Sequence, residues 1–142
     1  MTEITFHVHA PDKVGYACRL LRKAWNQGTQ VIVTGDPALL RDLDVSLWTF
    51  SALDFVPHCH GATSPMAART PVVLADGLEQ VPHHDVLVNL GAAIPEGFER
   101  FERLIEVVGN DGEDLQLGRA RWKHYASRGY ALKRHDLAEA AS

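Results

Sequence analysis

The stretch "QVIVTGDPALL", Gln30–Leu40, holds two kinds of pattern side by side. Its first part, "QVIVTG", is a short continuous apolar run rich in β-branched side chains, the mark of a strand buried on both faces. Its second part opens on Asp36 and Pro37, suited to the N-cap and first position of a helix, and places Leu40, Leu43, Leu47 and Phe50 along one side. A doubly buried strand feeding a one-sided helix is the building unit of sheets covered by helices on both faces.

The same alternation extends outward in both directions. Upstream, "ITFHVH" (Ile4–His9) has β-rich, alternating character. A helix follows it, with Asp12 as N-cap, Val14, Cys18, Leu21 and Trp25 in one stripe, and Gly28 as the left-handed stop. Downstream, "HGATSPMAART" reads as a turn-rich loop, and "PVVLAD" and "DVLVNL" read as two further buried strands. Between Pro95 and Gly109, Phe98 and Phe101 fit a helical spacing while "RLIEVV" fits a strand, so a short helix running into a strand is expected. Asp111 and Asp114 form a box-like start for a helix through Arg128, with Gly129 at its C′ position. The expected fold is a single α/β domain over residues 1–142, doubly wound and Rossmann-like, three layers around a mainly parallel sheet. The last residues, about 136–142, are expected to be a flexible tail.

With 46% hydrophobic and 23% charged residues the chain has the composition of a globular domain rather than a disordered one. The segment "MTEITFHVH" lacks a basic region followed by an apolar one, and no apolar run approaches the roughly 18 residues of a membrane span. Neither export nor membrane insertion is expected, and Cys18 and Cys59 are accordingly read as free thiols. Charge is unevenly spread. Residues 1–118 carry 8 Lys and Arg against 16 Asp and Glu, a balance of −8, whereas residues 119–142 carry 6 against 2, a balance of +4. Such asymmetry points to a charged partner.

Motifs for catalysis are scarce. The first strand-to-helix turn, "HVHAPDKVG", has neither a dinucleotide nor a P-loop glycine pattern, and Asp12 there, like Asp36 in "VTGDPA", would repel a phosphate. His58, Cys59 and His60 are consecutive, and neither they nor His83–His84 follow the spacing of a tetrahedral zinc site. Cys59 has a histidine on either side but none of the sequence context of a nucleophile and its oriented base. No catalytic, cofactor-binding or metal-ligating residues are therefore assigned. A small metal-dependent hydrolase using His58, His60 and His83 is a further alternative.

The basic excess lies in "GRARWKHYASRGYALKR", Gly118–Arg134. On a helix Arg119, Trp122, Lys123 and Ala126 fall along one side, and Arg128 continues the charge toward the glycine stop. An aromatic among cations suits a single-stranded nucleic acid, or an acidic peptide ending in a hydrophobic residue. The bland reading is a helix packed by Trp122 and Tyr125, with its arginines merely solvated.

"LDFVPHCHG" following "SLWTF", the strand "DVLVNL" and the terminal "RARWKHYASRGYAL" together resemble the chi subunit of the bacterial DNA polymerase III holoenzyme, from "ITFHVH" to "GYALKRH". That resemblance implies a non-enzymatic α/β adaptor of the clamp-loader assembly, cytoplasmic and acting at the replication fork. It would bridge the psi subunit to single-stranded-DNA-binding protein, whose acidic C-terminal tail ends in Pro-Phe, and would meet DNA only indirectly.

The tail-binding surface implied by the resemblance maps onto Arg119, Trp122, Lys123, Arg128, Gly129 and Tyr130. Arg119, Lys123 and Arg128 would meet the carboxylates, and Trp122 and Tyr130 would wall a pocket for the terminal Phe. The psi-facing surface maps onto Trp48, Phe55, Val56, Pro57 and His58, the alternative being that Phe50 and Phe55 simply plug the core. The loop "VGNDGEDLQ" is short and acidic, and Leu115 stands where the family pattern allows a base, so weak, micromolar-scale tail binding is expected. Direct binding of single-stranded DNA is the main competing reading, and the acidic remainder of the chain opposes it.

Overall fold

The computed structural model describes residues 1–49, 57–60, 70–75, 77–79 and 81–140. In chain order the elements are β1 (Glu3–Ala10), α1 (Lys13–Asn26), β2 (Val31–Thr34), α2 (Pro37–Thr49), β3 (His58–His60), β4 (Val72–Leu74) and β5 (Val86–Asn89). A 3-10 turn (Phe98–Arg100) then leads into β6 (Arg103–Gly109), α3 (Gly112–Ser127), β7 (Leu132–Asp136) and the short α4 (Leu137–Ala140). Among the described residues the strands form one seven-stranded sheet, ordered β3-β4-β2-β5-β6-β1-β7, with every pairing parallel. The α/β, Rossmann-like class expected from the sequence is the one observed.

The central strands are apolar on both faces because both faces are covered. Val31, Val33, Val86 and Val88 pack with Cys18, Leu21, Leu40, Leu43 and Leu47 of α1 and α2. Ile32, Leu87 and Leu104 turn the other way and pack with Phe98, Phe101 and Tyr125. Pairing Val33 with Val88, and Val88 with Ile105, keeps the two apolar sets on opposite faces across the sheet.

α1 ends as expected, with Gly28 at φ 74°, but its apolar stripe stops short of Trp25. Ala17, Cys18 and Leu21 are buried and Ala24 packs against the core, while Trp25 remains 40% exposed. In α2 the leucines at 40, 43 and 47 are buried as read; Phe50 lies outside the described residues. α3 begins where Asp111 accepts the Asp114 N–H at 3.4 Å. The Asp114 carboxylate reaches past the cap to the Gly109 N–H at 2.7 Å, tying the helix start to the end of β6. Gly118 lets the helix lie close to the sheet, because a Cβ there would stand 3.0 and 3.1 Å from the two Val108 methyls.

Two strands have no counterpart in the sequence reading. β3 contains the His58–His60 run, and β7 lies within the basic segment after Gly129. They form the two outer edges of the sheet. Of the stretch expected as a tail, Asp136 ends β7, Leu137–Ala140 form α4, and Leu137 packs against the core.

α3 is anchored by a buried polar cluster as well as by apolar contact. Glu106, on β6, has no exposed surface and receives Asn89 Nδ2 at 2.8 Å, Arg121 Nε at 3.1 Å and the Tyr125 hydroxyl at 2.6 Å. Arg121 Nη1 continues to the Ala92 carbonyl at 2.9 Å, and Asn89 Oδ1 accepts the Gly91 N–H at 2.9 Å. Burial pushes the Glu106 carboxyl upward, against the pull of Arg121, Tyr125 and Asn89. Burial, then the Glu106 carboxylate, pushes the Tyr125 hydroxyl up as well.

Candidate functional site

Between α3 and the strands β1, β6 and β7 lies a groove of about 260 Å³. Its apolar lining comes from Phe6 and Val8 on β1, Val108 on β6, and Leu115, Gly118 and Trp122 on α3. Arg119, Arg134 and His9 supply its polar rim. Part of the groove follows from sequence spacing. Arg119 and Trp122 are three apart on α3, so they share a side, and Phe6, Val8 and Arg134 lie on the sheet face that α3 covers. Trp122 is fixed edge-on to Phe6, ring centroids 5.2 Å apart, so the indole is a rigid wall.

The arrangement is amphipathic. Arg119 is exposed and forms no ion pair among the described residues, and the same holds for Lys123 and Arg128. A segment that fits must combine an apolar group for the floor with negative charge for the rim.

The residues named from sequence divide between this groove and its surroundings. Arg119 and Trp122 line it. Lys123 and Arg128 are exposed on α3 and at its end, outside the lining, and Gly129 takes φ 85° as the helix stop. Tyr130 does not wall the groove. Its ring packs against Phe98 at 5.3 Å and Tyr125 at 6.3 Å, because the left-handed Gly129 turns the chain back toward the core. The bland reading of α3 is corrected at Arg121, which is buried rather than solvated and belongs to the Glu106 cluster. Arg134 and His9 were not among the sequence candidates, and Leu115 was noted only as the position of a missing basic contact. The alternation of β1 and β7 carries part of that signal, but only once β7 is known to be a strand.

The second candidate surface sits at the β3 edge. Trp48 is 60% exposed and Val45, one turn earlier on α2, is 62% exposed. His58 is buried beside Trp48: its ring lies 5.0 Å from the Trp48 ring and its Nε2 is 3.1 Å from an Asp44 carboxylate oxygen. It therefore supports Trp48 more than it presents a surface itself. Pro57 is half-buried, and Phe55 and Val56 lie outside the described residues.

At the carboxyl ends of β1, β5 and β6, where α/β folds bind phosphates, the crevice is lined by Asp12, Asp36, Asp111 and Asp114 around Lys13. Lys13 is already engaged, 3.2 Å from Asp114 and 2.6 Å from the Leu90 carbonyl. This charge pattern is unsuited to a phosphate. Burial pushes the Cys59 thiol up, away from the thiolate a nucleophile needs, and pushes the His83 imidazole down. Among the described residues no three His, Cys, Asp or Glu side chains are grouped to hold a metal ion, and no helix is long and apolar enough to cross a membrane.

Comparison with known proteins gives a consistent picture. Residues 1–133 match the family model described as DNA polymerase III chi subunit, HolC. The chain is 34% identical over 142 residues to the DNA polymerase III subunit chi of Pseudomonas aeruginosa, covering 96% of this chain and 98% of that protein. It is 24% identical over 116 residues to the Escherichia coli protein of the same name, covering 81% of this chain and 79% of that protein. Among solved structures, the C-terminal domain of the DEAD-box protein Dbp5 superposes with a TM-score of 0.56 at 12% identity, covering 97% of this chain and 91% of that one, a likeness of fold alone.

Proposed function

Because the chain belongs to the DNA polymerase III chi subunit family, we propose that it works in the replicative polymerase assembly as a non-catalytic adaptor. In this reading the groove beside α3 takes the acidic C-terminal tail of single-stranded-DNA-binding protein, and the Trp48 surface faces the psi subunit. The observation that carries it is the pairing of an apolar floor, walled by Trp122, with Arg119 from α3 and Arg134 from β7. An apolar side chain at the tail's end fits the floor, and its carboxylates fit the arginines. Lys123 and Arg128 extend the positive field along the helix and favour the approach of the acidic residues before it.

The Trp48 surface is supported by a different observation, two large apolar side chains left exposed one turn apart on α2, with the buried His58 ring against Trp48. Exposed aromatic anchors of this type mark protein interfaces. The non-catalytic part of the reading is supported by the carboxylate-lined crevice and the raised Cys59 thiol.

The test is isothermal titration with an acidic peptide ending in Pro-Phe, the same peptide without its final Phe, and a single-stranded oligonucleotide. Micromolar binding of the first and much weaker binding of the second support the adaptor reading. Binding of the oligonucleotide alone, at low salt, would replace it with a nucleic-acid module.

A further inference from the structure

At the mouth of the groove the fold brings His9 of β1 to a pair two residues apart on β7, Arg134 and Asp136. β1 slips its register between His7 and Ala10, and His9 takes φ 62°, a left-handed conformation uncommon for a residue that carries a Cβ. From there its Nδ1 lies 2.8 Å from Oδ1 of Asp136 at the end of β7. The second carboxylate oxygen, Oδ2, accepts from Arg134 Nη2 at 2.9 Å. Oδ1 also accepts the Ala138 N–H at 3.0 Å, which caps α4. His9 and Arg134 both line the groove, while the Asp136 side chain, only 8% exposed, does not. The His9 contact, with the Ala138 N–H and Arg134, holds the Asp136 carboxyl below its usual range, so it is ionised at neutral pH.

We infer that Asp136 sets what the groove accepts: it is an internal carboxylate already seated on Arg134 and His9, and a docking segment must bring an acidic group of its own to share or take over Arg134. This rests on reading the groove as a site for an acidic, apolar-ended peptide. Arg134 has one nitrogen engaged and its side chain is 49% exposed, so donors remain for a second carboxylate. The incoming group nonetheless meets the Asp136 charge at close range, and this repulsion holds affinity down. The bulge has a role in this scheme. Strain at His9 is tolerated where it aims the ring at Asp136 and fixes the carboxylate under the rim.

Asp136→Asn tests the idea, because asparagine can still cap α4 while removing the charge. Binding of a fluorescent acidic peptide ending in Pro-Phe is expected to tighten by roughly three- to ten-fold at low salt. The gain should fade at high salt and vanish in an Arg134→Ala background. Should this variant fail to fold, Asp136→Ser, also a capping residue, takes its place. Unchanged or weaker binding in Asp136→Asn, with Arg119→Ala and Trp122→Ala both still lowering affinity, overturns the role of Asp136 and leaves the groove reading standing. No effect of Arg119→Ala or Trp122→Ala removes the groove reading and this inference with it.

Discussion

Arg121 and Glu106 meet in the interior of the molecule, guanidinium Nε to carboxylate Oε1 at 3.1 Å, fifteen residues apart and with almost no exposed surface on either. Removing one member of such a pair leaves the other charge buried without its partner. Arg121→Ala is expected to lower stability by about 3–5 kcal/mol and the thermal midpoint by on the order of 10 °C. Arg119→Ala, two residues away on the solvent side, should change it by less than about 0.5 kcal/mol. Thermal and urea unfolding of the two variants side by side checks the contrast; equal losses would contradict the assignment.

Peptide binding should show the opposite ranking of surface residues. Trp122→Ala and Arg119→Ala are expected to weaken binding of the acidic Pro-Phe peptide by at least about ten-fold, as anchors of a small site do. Arg128→Ala, outside the lining, should act through the field and lose most of its effect as salt rises. Titration at two ionic strengths separates the two classes.

Gly118 predicts a coupled defect. Adding a methyl there meets the Val108 side chain at 3.0 and 3.1 Å, so the buried Val108 or α3 itself must give by a few tenths of an ångström. Gly118→Ala is expected to destabilise the fold by roughly 1–3 kcal/mol despite alanine's better helix propensity, and to weaken peptide binding because both residues line the groove. A variant as stable as the parent would show that the helix moves without loss.

His7 gives a pH signature. It bonds to the Tyr16 hydroxyl, and burial, with smaller contributions from His135 and Lys23, pulls its pKa down to about 4. In the unfolded chain the ring takes up a proton near its ordinary value of 6.5, so between these limits the unfolded state binds more protons. This contribution to stability is present above pH 6.5 and is lost as pH falls toward 4, and partial exposure limits it to roughly 1–2 kcal/mol. His7→Gln should flatten that part of the stability–pH curve; an unchanged slope would assign it to other groups.

At the other edge, Trp48→Ala is expected to reduce capture of the psi subunit with little change in thermal midpoint, since the indole is mostly exposed. Co-purification of the two chains reads the outcome.

The parallel sheet was legible because β2, β4 and β5 are short continuous apolar runs, and β2 stands between the glycine stop of α1 and the Asp-Pro start of α2. β7 was not, because an edge strand with exposed Lys133, Arg134 and His135 carries the polarity of a loop. That omission also hid Arg134, the residue β7 brings to the groove. Arg119 and Trp122 follow from helical spacing, whereas Arg134 and His9 come from strands brought beside β6 and α3 by the fold, His9 through a bulge no periodicity encodes. Arg121 misled for a related reason. A charged residue among charged neighbours reads as solvated until the buried Glu106 partner is known.

The strand order fixes how far apart the two ends of the molecule work. From β3, beside Trp48, to β1, in the groove floor, there are five interstrand steps, on the order of 25 Å, and the helices beside them lie on opposite faces. In the proposed adaptor, ligands at the two ends would be separated by the whole width of the sheet. Their free energies then add like those of two hooks on one bar, so the molecule would act as a passive tether, raising the local concentration of one partner near the other in proportion to their joint occupancy.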